Sequence, residues 1–343
     1  MDPAPADAER PYLAAGGGSS VPEGAAPSYV LSRPDCLAAP LRPVGPKAAT
    51  LARLAGEGIP VPHFYVVSSA SLALHVAENR IPWPSPAEIS PDPEAWSAVR
   101  DQIRAAPVPA AVSRPVLEAY DRLCRAGGHR KVAVRSSGGE EDSASASFAG
   151  QFSSILSVQG SIELLDALKA CWASVLSDRS LRYRATHGLP LGPVPSFGVI
   201  VQVQVLSQRA GVLFTVHPLE ATRETAYIEA NFGTGESVVG GLVTPDAITI
   251  SRSSGQVLEA VTATKRRMTS VSLESHGSAV VEVERSQRNS PVLTAGEAQA
   301  IVQTGLRIER LLEAPQDVEW AYDARQLWIL QSRPITGPGR GWR

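Results

Sequence analysis

The stretch that decides the fold lies near the C-terminal end and reads QDVEWAYDARQLWILQSR, from Gln316 to Arg333. Two runs rich in apolar and aromatic residues, 316–322 and 326–331, flank the polar segment Asp323-Ala324-Arg325. Apolar runs separated by a few turn-forming residues are typical of a β-hairpin. The sequence therefore predicts two antiparallel strands here.

The length of the hairpin loop determines which side chains share a face. A three-residue loop pairs Asp323 with Leu327. It also places Glu319 opposite Gln331, with their Cβ atoms about 5 Å apart. A carboxylate and an amide oxygen at that distance can hold one hard cation, with Arg333 on the same face. A two-residue loop would put the acid and the amide on opposite faces, and the hairpin would then be an ordinary polar one at the surface.

Outside the hairpin, helical and strand patterns are mixed along the chain. Helices are predicted at 47–56, from Ser161 onwards, and after a capping box formed by Thr294 and Glu297. Strands are predicted at 59–67, 131–135, 197–205 and 211–216. Strands scattered among helices indicate an α/β or α+β architecture rather than a helix bundle or a β-sandwich.

Charge and composition exclude several function classes. The 343 residues contain 32 Lys and Arg against 34 Asp and Glu, which argues against nucleic-acid and membrane-surface partners. The longest near-apolar stretch, Phe197 to Leu206, is far shorter than the roughly 20 residues of a membrane-spanning helix. Three widely spaced cysteines give no disulfide framework, so we expect a reducing, cytoplasmic location.

The N-terminal segment has the composition of a disordered tail. Residues 1–30 contain 16 Ala, Gly or Pro and show no periodicity. Such a segment cannot bury enough apolar surface to offset the entropy of ordering. We predict a disordered tail over residues 1–35, and the absence of a basic region before an apolar one argues against a secretory signal.

Seven short blocks resemble, in order, the nucleotide-binding domain of pyruvate phosphate dikinases, phosphoenolpyruvate synthases and rifampin phosphotransferases. The resemblance extends over residues 44–336. The blocks are VGPKAATL with GIPVP (44–51 and 58–62), VRSS to SFAGQ (134–151), VQ (201–202), GVLFT (211–215), GTGE (233–236), TPD (244–246), and QDVEW with LQSRP (316–320 and 330–334).

The resemblance implies an α+β ATP-grasp fold, in which two lobes close over ATP with Mg²⁺ at the phosphates. It implies an N-terminal lobe over 36–198, a C-terminal lobe over 199–336 and a short tail over 337–343. It assigns phosphate contacts to Lys47, Arg135 and Arg333, and metal binding to Glu319 and Gln331. Further nucleotide contacts fall on Gly150, Gln151, Ser154 and Gln202.

The residue types agree with these roles, although each also has an ordinary explanation. Lys47 at a helix start adds positive charge to a helix N-terminus, or it extends towards solvent. The planar fork of Arg135 suits bidentate phosphate contact, or it pairs with the acids at 140–142. The small residues of 147–151 allow close backbone approach to a phosphate, or form a flexible loop. Gln202 hydrogen-bonds to the edge of the adenine base, or it lies in the core with its side-chain amide hydrogen-bonded to other protein groups.

Five positions depart from the pattern of the resembled family. Pro46 and His63 stand where the family usually has glycine. Gln204 stands where Met is common, His217 where Asp is common, and Thr234 where Leu is common. None of these removes a charged phosphate contact. We therefore expect ATP to bind, with the base preference left open.

The resembled family continues with a swivelling domain whose histidine carries the phosphoryl group, whereas this chain stops ten residues after Arg333. Thr186-His187-Gly188 superficially resembles the carrier motif, but it falls inside the ATP-binding region, so we do not expect His187 to be the carrier. We expect a phosphotransferase component that passes a phosphoryl group to a histidine on a separate chain, releasing AMP and phosphate. A stand-alone ATP-grasp ligase or kinase that activates a small acceptor is the alternative, and a regulatory subunit without turnover is a third possibility.

Overall fold

The computed structural model of the chain describes residues 28–39, 41–83, 96–138, 154–187, 197–219, 223–274 and 277–335. Its strands are β1 (Val30–Leu31), β2 (Phe64–Val67), β3 (Lys131–Gly138), β4 (Ser154–Gln159), β5 (Phe197–Val203), β6 (Arg209–Phe214), β7 (Thr225–Phe232), β8 (Asp246–Ser251), β9 (Val257–Val261), β10 (Arg267–Ser270), β11 (Ala279–Glu282), β12 (Gln316–Tyr322) and β13 (Leu327–Pro334). Its helices are α1 (Arg33–Ala38), α2 (Leu41–Val44), α3 (Pro46–Gly56), α4 (Ser69–Glu78), α5 (Ser97–Ala105), α6 (Ala110–Gly127), α7 (Ser161–Ser174), α8 (Asp178–His187), α9 (Glu236–Val239) and α10 (Ala295–Leu312).

The first sheet has five strands in the order β1-β2-β5-β3-β4, and each neighbouring pair is antiparallel. Its core includes Tyr120 of α6 and Trp172 of α7, which pack with Val134 and Val201 of the two central strands. The central strands β5 and β3 are buried at nearly every position because helices and the second half of the molecule cover both faces.

The second sheet has six antiparallel strands in the order β13-β12-β6-β7-β8-β9, and β10 and β11 form a separate ribbon. Leu213, Ile228, Val318 and Trp320 lie in a buried cluster with residues of α10. Successive residues of a strand point to opposite faces, so the neighbouring positions 212, 229 and 319 face the other side of the sheet. That second face is turned towards the first sheet.

Helix α3 joins the two sheets. Pro at its first position has no N–H to leave unpaired, and its fixed φ suits a helix start. Gly45, which precedes it, has a φ of +76°, and a Cβ there would lie 1.9 Å from the Ser137 carbonyl oxygen. The Ala48 N–H donates to Ser137 Oγ at 3.1 Å. The start of α3, with Lys47, is thereby held against the end of β3.

The structure confirms the predicted α+β class and most of the predicted elements. Helix 46–56, the helix from Ser161 and the Thr294–Glu297 capping box are present. The predicted strand at 59–67 is shorter, β2, because the prolines at its start lack ladder N–H groups. The predicted strands at 197–205 and 211–216 correspond to β5 and β6.

Two predicted boundaries differ from the structure in detail. Strand β1 and the start of α1 fall within residues 28–35 of the predicted tail, because Val30 pairs with Val67 at the edge of the first sheet. The predicted lobe boundary at 198/199 falls inside β5, which pairs with β2 and β3, so the change of sheet comes between β5 and β6. The two-lobe division itself stays a prediction.

Among the helices of the described residues, none combines the length and apolar character needed to cross a membrane. All three cysteines are buried free thiols, and burial raises the pKa of Cys36 to about 12.

Candidate functional site

A cavity of about 440 Å³ lies between the two sheets. Seven of the nine predicted site residues line it: Lys47, Arg135, Ser154, Gln202, Glu319, Gln331 and Arg333. The remaining two, Gly150 and Gln151, lie outside the described residues. Residues from both sheets and from the start of α3 are therefore brought to one place, while their individual roles stay predictions.

Arg135 connects the two sheets across this cavity. Its guanidinium is nearly buried, and Nη2 donates to Glu319 Oε2 at 2.9 Å and to Gln331 Oε1 at 2.8 Å. Its second terminal nitrogen, Nη1, donates to the Leu330 carbonyl at 2.6 Å. Arg135 thus pairs with the hairpin residues rather than standing alone at the end of β3.

The hairpin contains the predicted Glu319–Gln331 pair, but its loop length and strand register differ from the prediction. The loop has four residues, 323–326, with Tyr322 opposite Leu327, so the three-residue loop was wrong. Continued without a break, this register would place the acid opposite Leu330. A β-bulge between Glu319 and Trp320 inserts one extra residue into β13 and restores the pair.

The bulge also supplies the third acceptor for Arg135. Trp320 pairs with Ile329, and Glu319 pairs with Gln331, so Leu330 is the residue left over in the ladder. Its carbonyl accepts from Arg135. Bulges near functional sites often turn a backbone or side-chain group out of the sheet, as this one does.

Arg333 lies on the predicted face but is paired with an acid that the sequence reasoning missed. Asp317 is directly opposite it, and Arg333 Nε and Nη2 donate to Asp317 Oδ2 at 2.9 and 2.7 Å. Burial raises the pKa of Asp317, Arg333 lowers it and Glu319 raises it, with a net upward shift. The sequence contained the information needed to predict this ion pair, because the strand register that pairs residue 319 with 331 also pairs 317 with 333.

Lys47 lies in the first turn of α3 and is 4% exposed. The α3 N-terminus and this ammonium both place positive potential at the cavity wall. Among the described residues, three cationic side chains therefore line the cavity: Lys47, Arg135 and Arg333.

Strand β4, the end of β5 and the segment after β5 contribute apolar side chains to one part of the cavity lining, which we call the apolar slot. Leu156, Val203 and Val205 line it, and the buried Gln202 amide donates to the Pro62 carbonyl at 3.5 Å. The Gln204 side chain is fixed at both ends, since Oε1 accepts from Ser157 N–H at 3.2 Å and Nε2 donates to the Val205 carbonyl at 3.0 Å. A flat apolar group with polar edges fits such a slot.

The other departures from the family pattern lie in different surroundings. Thr234 lines the cavity, whereas His217 packs edge-on against the Tyr227 ring at 4.6 Å. His63 is exposed, and Pro46 begins α3. Only Gln204 and Thr234 of the five are cavity residues among those described.

The residues present fit a divalent cation. Glu319 Oε2 and Gln331 Oε1 accept from one and the same nitrogen atom, so the two oxygens converge on a single cationic position. Among the described residues no cluster of three or more His, Cys, Asp or Glu is suited to a metal. Two protein oxygens match Mg²⁺, which usually takes its remaining ligands from phosphates and water.

Comparisons with known proteins agree with this geometry. The family model "Pyruvate phosphate dikinase, AMP/ATP-binding domain" matches residues 41–341. A rifampicin phosphotransferase of Streptomyces sp. is 36% identical over 320 residues, which are 90% of this chain and 36% of that protein. A probable phosphoenolpyruvate synthase of Methanothermobacter thermautotrophicus is 35% identical over 306 residues, covering 86% of this chain and 44% of that protein.

A probable phosphoenolpyruvate synthase of Archaeoglobus fulgidus is 37% identical over 302 residues, covering 85% of this chain and 40% of that protein. Among solved structures, D-alanyl-alanine synthetase A of Vibrio cholerae aligns with 85% of this chain and 56% of its own at 9% identity and a TM-score of 0.31.

The chain thus spans between 36% and 44% of the length of these relatives. The family match covers the second sheet, the first sheet apart from β1, and every described residue of the predicted site. The chain belongs to the pyruvate phosphate dikinase AMP/ATP-binding domain family, and it is an ATP-binding domain.

Proposed function

We propose that this domain binds Mg·ATP in the cavity and passes a phosphoryl group to a histidine of a carrier domain on a separate chain. The observation that carries the proposal is the convergence of Arg135, Glu319 and Gln331 at 2.8–2.9 Å in a cavity that Lys47 and Arg333 also line. Phosphoryl transfer depends mostly on positioning and on neutralising charge, which fixed cations and a metal site provide.

Different residues along the cavity bind the base, the phosphates and the metal. The apolar slot beside Gln202 and Gln204 takes the base, and the three cationic side chains take the phosphates. Glu319 and Gln331 would hold Mg²⁺, which neutralises phosphate charge when it is bound. Since the Asp317 carboxylate orients Arg333 and the hairpin acceptors orient Arg135, both guanidinium groups are held in place before the nucleotide arrives.

An acceptor outside this cavity is supported by the positions of the histidines. Four histidines have described side chains, and none of them lines the cavity. His75, for example, is buried against Trp172, and His217 against Tyr227. His187 is the last residue of α8, and its side chain lies outside the described part. The names of the relatives, a rifampicin phosphotransferase and phosphoenolpyruvate synthases, support phosphoryl transfer as the reaction class.

The test follows ATP labelled in its β-phosphate, mixed with this chain and with a separately produced histidine carrier domain of a relative. We expect acid-labile label on the carrier histidine, with AMP released and the γ-phosphate released to one water molecule as inorganic phosphate, only when both proteins are present. Acid-labile label on this chain alone would contradict the assignment of the histidine to another domain. Label on a small acceptor with ADP released and no second protein would favour the ligase or kinase alternative.

A further inference from the structure

We propose that one long-lived water molecule is bound between the second sheet and the β10–β11 ribbon, where it hydrogen-bonds to the side-chain oxygens of Asn231, Thr234 and Thr269. The site lies behind the wall of the cavity, because Thr234 lines the cavity whereas the other two residues are not part of its described lining. It does not depend on a bound nucleotide.

A closed ring of hydrogen bonds surrounds this position. Asn231 Nδ2 donates to Ser237 Oγ at 3.1 Å, and Ser237 Oγ donates to the Thr234 carbonyl at 3.3 Å. The Thr234 N–H donates to the Thr269 carbonyl at 2.7 Å. Strand β10 leads from Thr269 back to Arg267, whose carbonyl accepts from Asn231 Nδ2 at 3.2 Å. The ring therefore joins β7, the turn before α9 and β10.

Three oxygen atoms of the ring residues are buried and have no hydrogen-bond partner among the described residues. They are Asn231 Oδ1, Thr234 Oγ1 and Thr269 Oγ1, and the three residues are 0%, 4% and 4% exposed. The amide orientation is fixed, since the Arg267 carbonyl can only accept and must therefore face Nδ2. Because an unpaired buried polar atom is costly, nearly all such atoms have a partner. Three of them in one ring indicate a ligand that pairs with all three.

The chemistry of the ring favours a neutral ligand. The ring residues contribute amide, hydroxyl and peptide groups and no carboxylate. The acid on the neighbouring strand, Asp246 opposite Ala230, is already paired with Lys265 at 2.5 Å. A cation in the ring would lose its hydration with no carboxylate to offset the loss. A water molecule both donates and accepts, and internal waters typically make about three hydrogen bonds to otherwise unpaired groups.

The water contributes to the wall of the cavity through Thr234. It links the side chain of this residue to β7 and β10, in addition to the backbone bond between Thr234 and Thr269. Leucine, which is common at position 234 in the family, has no hydroxyl group to take part. The threonine therefore gives this chain a polar contact at a position where the family commonly has an apolar side chain.

Isosteric Thr→Val variants test the site by the sign of their effect on stability. If the hydroxyls have no partner, Thr234→Val and Thr269→Val should each raise the thermal unfolding midpoint, because an unpaired buried polar group is removed. If they hold the water, each variant should lower the midpoint by roughly 2–4 °C. The double variant should then lose less than the sum of the two single losses, because both hydroxyls bind the same molecule. A raised midpoint in the single variants would overturn the proposal.

Oxygen-17 relaxation dispersion of the solvent counts the long-lived internal waters directly. Wild type should hold one more of them than the double variant. The control Thr304→Val, which removes a hydroxyl that donates to the Ala300 carbonyl within α10, should keep the wild-type count. Equal counts in wild type and the double variant would overturn the proposal.

Two measurements on the wild type do not depend on a variant that folds. A crystal structure of the nucleotide-free protein, at a resolution that shows ordered water, should contain a water within hydrogen-bond distance of all three oxygens, and a ring without one would contradict the proposal. Thermal midpoints in NaCl and KCl at equal concentration should agree, because water is the ligand. A midpoint that depends on the identity of the cation would indicate a cation in the ring and overturn the assignment. All these measurements are made without nucleotide, so their failure leaves the proposed function standing.

Discussion

The Nη2 atom of Arg135, on the first sheet, lies 2.9 Å from Oε2 of Glu319, on the second, although 184 residues separate them in sequence. The same nitrogen donates to Gln331, so one cationic group takes up the two oxygens that we assign to Mg²⁺. We therefore expect Arg135 to compete with a metal for these oxygens when no nucleotide is bound. When nucleotide is present, we expect its phosphates to give the guanidinium a second partner and to leave the oxygens to the metal.

Removing Arg135 should let the domain bind a divalent cation without nucleotide. In Arg135→Gln the Glu319 carboxylate loses its cationic partner and becomes available as a metal ligand. We expect Mn²⁺, followed by the loss of its free-ion paramagnetic resonance signal, to bind at least roughly tenfold more tightly than to wild type, because a charge-assisted hydrogen bond no longer competes. The control is Arg209→Gln, which breaks a pair with Glu297 outside the cavity lining. Equal Mn²⁺ affinity of the Arg135 variant and wild type would show that the two cations do not compete.

Mg·ATP should raise the thermal unfolding midpoint, and Glu319→Ala should abolish the part of that shift that requires Mg²⁺. A ligand that binds the native state alone stabilises it by roughly 2.7 kcal/mol at a concentration 100 times its dissociation constant. The measurement is a thermal scan with ATP, with and without Mg²⁺, and Glu259→Ala on the exposed strand β9 is the control. An unchanged wild-type midpoint at millimolar Mg·ATP would contradict ATP binding.

Lys47→Ala, Arg135→Ala and Arg333→Ala should each lower the rate of phosphoryl transfer to a carrier domain by roughly 10²–10³. Each side chain lines the cavity where phosphate charge develops. Lys169→Ala, which removes a lysine from a local pair with Asp166 on α7, should leave the rate unchanged. The measurement is single-turnover transfer of labelled phosphate. If the transfer rate fell by less than about threefold in all three variants, phosphate binding by these side chains would be contradicted.

His75 should make the fold less stable at acidic pH. Its ring is fully buried, Nε2 lies 3.0 Å from the Ile103 carbonyl, and burial lowers its pKa from the usual 6.5 despite that hydrogen bond. As the pH falls through 6.5, the unfolded chain takes up a proton that the folded protein does not bind. The free energy of unfolding should then fall by up to about 1.4 kcal/mol per pH unit from this group.

The measurement for His75 is urea unfolding between pH 5 and 8. His75→Gln should remove this contribution to the slope, and His63→Gln, at an exposed position, should not. A wild-type slope that matches that of His75→Gln across this range would show that the buried ring takes up its proton as easily as the unfolded one does.

Local patterns in the sequence determined much of the fold and of the site. The strand alternation around Gln316–Arg333 put residues 319, 331 and 333 on one face, and this held although the predicted loop was one residue too short. The capping box at Thr294 and the proline at the start of α3 likewise marked helix starts correctly. These features depend on near neighbours in the chain, so a single sequence contains them.

Other features of the site depend on contacts between segments that are distant in the sequence, and only the tertiary structure determined them. The bulge at Leu330 restored the Glu319–Gln331 pair and turned out a carbonyl for Arg135, which no loop-length rule predicts. Glu236, on a four-residue helix, lines the cavity next to Gly235, which lies against Ala210 of strand β6. Such positions follow from how two sheets pack, and packing is set by the whole core rather than by any local pattern, so the sequence alone did not single them out.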